Sequence, residues 1–265
     1  MSTTQAMPLR QASTPVPVRK ITSNDLREVL KEGLADFLEM RGDIIFLAMI
    51  YPLIGLAAAI IALGGNLFPL LFPFTAGVSL LGPVAAVGFY ELARRREAGF
   101  ESDWSHFFDV RKRPAWDSIL AVTGLLLAIF AVWVAVAWAL YAMLIGGDTS
   151  TFDFLSRLFT TREGWALIVF GNLIGLGFAV LALMVSVVSL SMMVDHDVDA
   201  RAAVSTSIRA VTANKAVMAR WGLIVAGMLV LGSIPVFVGL AVVLPWLGYS
   251  TWHLYTRLVD RDALR

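Results

Sequence analysis

The run Gly82-Pro83-Val84-Ala85-Ala86-Val87-Gly88-Phe89-Tyr90-Glu91-Leu92-Ala93-Arg94-Arg95-Arg96 decides the fold. It leaves an apolar segment, passes two aromatics and one acid, and stops at three consecutive arginines. That is the profile of a helix emerging from a bilayer, with aromatics at the interface and a basic clamp behind them. A matching stretch closes the chain, from Leu244-Pro245 through Tyr249, Trp252 and His253 to Arg257.

Composition agrees with a membrane solvent. Of 265 residues, 58% are hydrophobic and only 15% charged, where soluble domains carry about 25% charged residues. A water-soluble fold of this size would expose large greasy patches. The 21 basic and 20 acidic residues nearly balance, so no global attraction to nucleic acid is indicated. There is no cysteine, which excludes disulfides, thiolate metal sites and a cysteine nucleophile.

Outward from the opening run, residues 1–21 are polar and proline-bearing and read as a disordered cytoplasmic tail. Thr22 or Ser23 caps a helix to about Met40, with Leu26, Val29, Leu30, Gly33, Leu34, Phe37 and Leu38 on one stripe. This stripe reads as an interfacial helix on the membrane surface, in preference to one packed on the protein's own loops. Residues 44–63 form a first span and 67–90 return, broken by Pro69, Pro73 and Pro83. Phe100, Trp104, Phe107 and Phe108, followed by Arg111-Lys112-Arg113, are an interfacial anchor. Two long apolar runs, 115–145 and 165–194, follow. Gly171 and Gly175 in the second have the small-xxx-small spacing of packed helices. Residues 216–232 and 234–255 complete the set, with Pro235 between them and Pro245 inside the last, although 221–243 can also be drawn as one span.

Six spans put every Lys and Arg except Arg157 and Arg162 on one side. By the positive-inside rule, that side and both termini are cytoplasmic. The expected fold is all-α and polytopic: a single membrane domain over 22–262, with a tail at 263–265. It divides into three two-helix units at 22–97, 98–199 and 199–262. In this repeat, Pro83, Tyr90, Leu92 and Arg95 fall opposite Pro245, Trp252, Leu254 and Arg257. Glu91 and His253 then hold near-equivalent places, and the space between those two helices is the first candidate for a site, beside Arg94, Arg95, Arg96 and Arg257. Two anchored helix ends is the plainer reading.

No ionisable group falls in mid-bilayer, which lowers the expectation of proton- or ion-coupled transport. Three histidines, His106, His196 and His253, all at one face, do not suit a haem-copper centre. Asp195-His196-Asp197-Val198-Asp199 looks like the start of a calcium loop, but Ala200 stands where the turn glycine belongs. Asp199 as a helix N-cap is the stronger reading. No catalytic residue and no cofactor is expected. The expected partners are the lipid bilayer, with a membrane protein or a second copy as a further candidate.

The segments Val18-Arg19-Lys20-Ile21, Leu81-Gly82-Pro83, Val198-Asp199-Ala200-Arg201-Ala202-Ala203-Val204-Ser205-Thr206-Ser207-Ile208-Arg209-Ala210-Val211 and Leu244-Pro245-Trp246-Leu247-Gly248-Tyr249-Ser250-Thr251-Trp252-His253-Leu254-Tyr255 resemble a bacterial inner-membrane family known only as a domain of unknown function. Some members carry a cytochrome c oxidase subunit label, which the histidine positions here do not support. The resemblance implies a polytopic bacterial membrane protein and no established activity. The functions expected are a non-enzymatic scaffold or accessory subunit of an envelope or respiratory complex and, as the alternative, a transporter or channel for a small neutral or amphipathic solute.

Overall fold

A computed structural model describes residues 16–48, 53, 82–146, 151–235 and 237–264, with side chains for all but 40–48 and 151. The helix α1 (Ser23–Ala48) begins at a reciprocal cap. The Thr22 amide donates to Asp25 Oδ2 at 2.6 Å and the Asp25 amide donates back to Thr22 Oγ1 at 3.4 Å. That is the capping-box arrangement, with Asp at the third helical position. α1 runs unbroken into the apolar segment, so the amphipathic stretch and the start of the first expected span are one helix. The remainder of that span, Pro69 and Pro73 lie outside the described residues.

A helical turn at Gly82–Ala85 leads into α2 (Val87–Glu97). A 3-10 segment (Trp104–Lys112) then folds back over α2, with Phe107 edge-on to Phe89 at 5.0 Å. The long elements follow: α3 (Trp116–Leu144), α4 (Thr151–Thr160), α5 (Arg162–Ser186) and α6 (Ser189–Asp195). After them come α7 (Ala200–Ala213), α8 (Lys215–Ser233) and α9 (Leu240–Leu258).

Among the described residues, three stretches are long and apolar enough to cross a bilayer: α3, the α5–α6 run Arg162–Asp195, and α8. Only 17–39% of their most apolar windows is buried inside the protein. Leu120, Leu127, Leu173, Leu176 and Leu223 stand exposed, and lipid is the solvent in which such faces are stable. The 29 residues of α3 rise ~43 Å at ~1.5 Å each, close to the ~40–45 Å of a bilayer with its headgroups. Gly175 does serve packing: a Cβ there would lie 2.9 Å from the Trp133 ring on α3.

The core lies at one end, where α1, α2, α6 and α9 meet. Here the structure corrects the interfacial reading of α1. Leu26, Val29 and Phe37 are buried in the core, and a Cβ on Gly33 would fall 2.5 Å from the Ser250 amide nitrogen of α9. The stripe is spent on α9, at backbone contact, rather than left for the membrane surface.

The tail boundary is corrected too. Residues 16–21 are extended and tied to the C-terminus. Val18 bridges Val259, the Arg19 amide donates to Leu258 O at 2.8 Å, and the Asp260 amide donates to Pro17 O at 3.1 Å. Val16 and Ile21 are buried, and Asn214 accepts from the Ile21 amide at 2.9 Å while donating to Arg19 O at 3.1 Å. Near the other terminus, Arg261–Leu264 is a 3-10 turn where a tail was expected from 263. The division between α8 and α9 falls near Pro235 as expected. The second half of α9, however, is buried by protein, with Tyr249, Trp252, Leu254 and Tyr255 fully covered, so it is not a plain lipid-facing span.

Candidate functional site

Most of the described ionisable groups gather at the end where α1 starts and where α2, α6 and α9 finish. Two clusters form there. In the first, Glu32, Asp36 and Glu39 lie at spacings of four and three along α1, which stacks them on one face. Arg257 of α9 donates from both terminal nitrogens to Glu32, at 2.8 and 2.7 Å. His253 meets Asp36 Oδ2 at 2.7 Å and lies 3.4 Å from Glu32. Arg96 of α2 pairs with Asp36 at 3.2 Å and also with Glu39. One acidic face of α1 therefore pins the basic ends of two other helices.

The second cluster is deeper. Glu91 is 1% exposed and takes two hydrogen bonds from Arg94, at 2.9 and 2.6 Å. Arg113 stands 4.0 Å from the same carboxylate and donates to the Asp195 carbonyl at 3.1 Å. The Asp195 side chain accepts from Tyr255 OH at 2.9 Å and from Arg261 Nε at 2.7 Å. Arg261 also reaches Glu97, which accepts from Trp252 Nε1 at 3.0 Å. Buried charges persist when paired and hydrogen-bonded, and here the acids and the guanidiniums alternate.

The electrostatics follow that packing. Burial works against the charge on Arg261, but hydrogen bonds to Asp195 and Glu97 outweigh it and hold the guanidinium above its ordinary range. Arg94 is raised by its hydrogen bonds to Glu91. Arg113 goes the other way, lowered by burial and by the neighbouring Arg94.

The residues expected to make a site are thus at one end of the molecule but not in one place. α2 and α9 do pack, through Phe89 and Tyr249 at 5.9 Å and a Gly248 whose Cβ would lie 2.9 Å from Phe89 Cβ. Yet Glu91 faces Arg94 and Arg113, while His253 faces α1, so the repeat-based pairing of the two is not a shared pocket. Arg95 holds the loop after α2, donating to Glu101 O at 2.7 Å. Of the acidic run, Asp199 caps α7 through the Ala202 amide at 2.9 Å, Asp195 serves Arg261 and Tyr255, and His196 sits 3.1 Å from Asp195. Among the described residues no three carboxylate or imidazole groups converge on a metal position. Pro83 opens the turn before α2, Pro235 lies between α8 and α9, and Pro245 is inside α9.

Asp36, Glu32, Arg113 and Arg261 are the participants that sequence reasoning missed. The spacing of Glu32, Asp36 and Glu39 was visible, but its cationic partners are more than fifty residues away in sequence.

Neither a curated protein nor a solved structure is significantly similar to this chain. Of the segments that carried the sequence resemblance, Leu81-Gly82-Pro83 lies within the part that a family model covers. Residues 71–195 match the family described as "Predicted integral membrane protein (DUF2189)", a domain of unknown function, and with its apolar, lipid-facing helices this chain is an integral membrane protein.

Proposed function

We propose that this is a non-enzymatic protein of the bacterial inner membrane, a scaffold or accessory subunit of an envelope or respiratory complex, with its charged end in the cytoplasm. The observation that carries the reading is the use of the buried acids. Glu91, Asp36 and Asp195 are each spent on cations of the same layer, which locks helices together and leaves none of these three carboxylates free. A rigid end of this kind presents a ridge of exposed aromatics, Phe100, Trp104 and Phe108, with Arg111 stacked 5.4 Å over the Phe108 ring. Aromatics beside arginine are the residue types enriched where proteins associate.

Cross-linking in native membranes, followed by mild-detergent purification, tests it. The expected result is a defined co-purifying membrane protein or a self-association product that is lost in Trp104→Ala/Phe108→Ala. A wild-type chain that runs alone after cross-linking overturns the reading. A transport role is the second reading, favoured by Pro245 inside α9, which leaves a backbone carbonyl of that helix without its usual donor. Its test is solute uptake into proteoliposomes.

A further inference from the structure

Away from both clusters, α3 and the amphipathic α7 enclose an open groove of about 490 Å³. Val122, Leu125, Val204 and Ile208 give it an apolar lining, and Arg201 and Arg209 belong to the same lining. These arginines differ from those bound up in and beside the two clusters. Arg94, Arg95, Arg96, Arg257 and Arg261 all lie within salt-bridge distance of carboxylates. Among the described residues Arg201 and Arg209 have no such carboxylate. Arg209 donates only to the neutral Thr206 hydroxyl, at 3.1 Å, and its Nε is buried with no hydrogen-bond partner. A guanidinium with a covered, unused donor is poised for an anion, and its planar fork matches phosphate.

The position of the groove selects the anion. Val122 and Leu125 fall six and nine residues after the first residue of α3, roughly 9–14 Å along the helix at ~1.5 Å per residue. Counted from the charged end, that is just past the ~5–8 Å headgroup region, where the hydrocarbon begins. Beyond the groove the exposed apolar surface of α3 continues with Leu127 and Val132. An amphiphile with a negative head and an apolar tail meets two unpaired cations and an apolar track.

We propose that the groove between α3 and α7 binds an anionic phospholipid, with its phosphate on Arg201 and Arg209 and an acyl chain along the exposed leucines of α3. Basic side chains near an anionic headgroup are each worth about a fivefold change in binding. The proposal does not depend on the scaffold reading, because an unrelated membrane protein could hold a lipid in the same way.

The test uses the full-length protein, equilibrated in mixed micelles of equal phosphatidylglycerol and phosphatidylcholine and analysed for retained lipid by native mass spectrometry. The wild type is expected to enrich phosphatidylglycerol. Arg201→Gln/Arg209→Gln is expected to reduce that enrichment by about 25-fold, from fivefold for each arginine, while Arg162→Gln, an exposed arginine at the start of α5 and outside the groove, leaves it unchanged. If the double variant does not fold, Ile208→Trp fills the groove with both arginines intact, and it too is expected to lose the lipid. Equal retention of both lipids by the wild type, undiminished enrichment in a folded variant, or a second copy of the chain cross-linked at position 208 in place of lipid overturns the proposal.

Discussion

Replacing Glu91 by leucine is the sharpest perturbation of the charged layer. The Glu91 side chain is 2% exposed, against 17% for Arg94 and 23% for Arg113. The substitution removes a bidentate acceptor and leaves two guanidiniums facing each other across an apolar side chain. Removing one member of a buried ion pair typically costs about 3–5 kcal/mol. The partial exposure of both arginines lets water relieve some of that cost, which places Glu91→Leu near the low end, about 3 kcal/mol, or roughly two decades in the unfolding equilibrium. The double variant Glu91→Leu/Arg94→Leu removes both charges of the closer of the two Glu91 pairs and is expected to recover most of the loss. Reversible unfolding in mixed micelles, followed by the fluorescence of the eight tryptophans, measures both. A single-variant loss below about 1 kcal/mol, the size of an exposed pair, would refute the claim that this layer is buried and interlocked. So would a double variant that is no more stable than the single one.

Two further outcomes follow from the packing and capping around α1. Gly33→Ala places a methyl 2.5 Å from the Ser250 amide nitrogen and is expected to cost at least about 1–3 kcal/mol as the two backbones part, whereas Gly177→Ala, with nothing within 4 Å, is expected to be neutral or mildly stabilising; the same unfolding assay compares them. Thr22→Ala removes the cap of α1, a loss of about 1 kcal/mol at neutral pH. Hydrogen bonds from Thr22 lower the Asp25 carboxyl below its ordinary 3.8, so the stabilisation is complete above that value and disappears as pH falls through the lowered one. The difference between wild type and Thr22→Ala is therefore expected to shrink below about pH 4, and a pH-independent difference would count against the pairing.

Much of the architecture was legible in local pattern. The apolar lengths of α3 and α5, the break near Pro235 and the capping role of Asp199 each depend on residues close together in sequence. What was not legible depends on partners far apart. Val16, Val18 and Ile21 carry a sparse apolar signal within a polar, proline-bearing segment, and only the pairing with 258–260 makes them ordered. The stripe of α1 suits a membrane surface and a helix groove equally well; Gly33 against Ser250 decides between them by backbone contact. The Glu91–His253 correspondence came from aligning two similar exits, and similar sequence positions on packed helices need not face the same way. That Arg201 and Arg209 line an apolar groove and, among the described residues, face no carboxylate is a fact of tertiary placement that periodicity cannot carry.

The most direct test of the central claim, an integral membrane protein with its charged layer in the cytoplasm, is side-specific labelling. The chain has no cysteine, so single cysteines can be placed without removing any. Lys112→Cys and Glu28→Cys report the charged end, and Ser156→Cys on α4 reports the other; all three positions are exposed. In intact spheroplasts a membrane-impermeant maleimide is expected to label position 156 and to reach 28 and 112 only after permeabilisation. Labelling of 28 or 112 in intact spheroplasts, with 156 protected, would contradict the orientation, and labelling of all three without permeabilisation would contradict the membrane-spanning account itself.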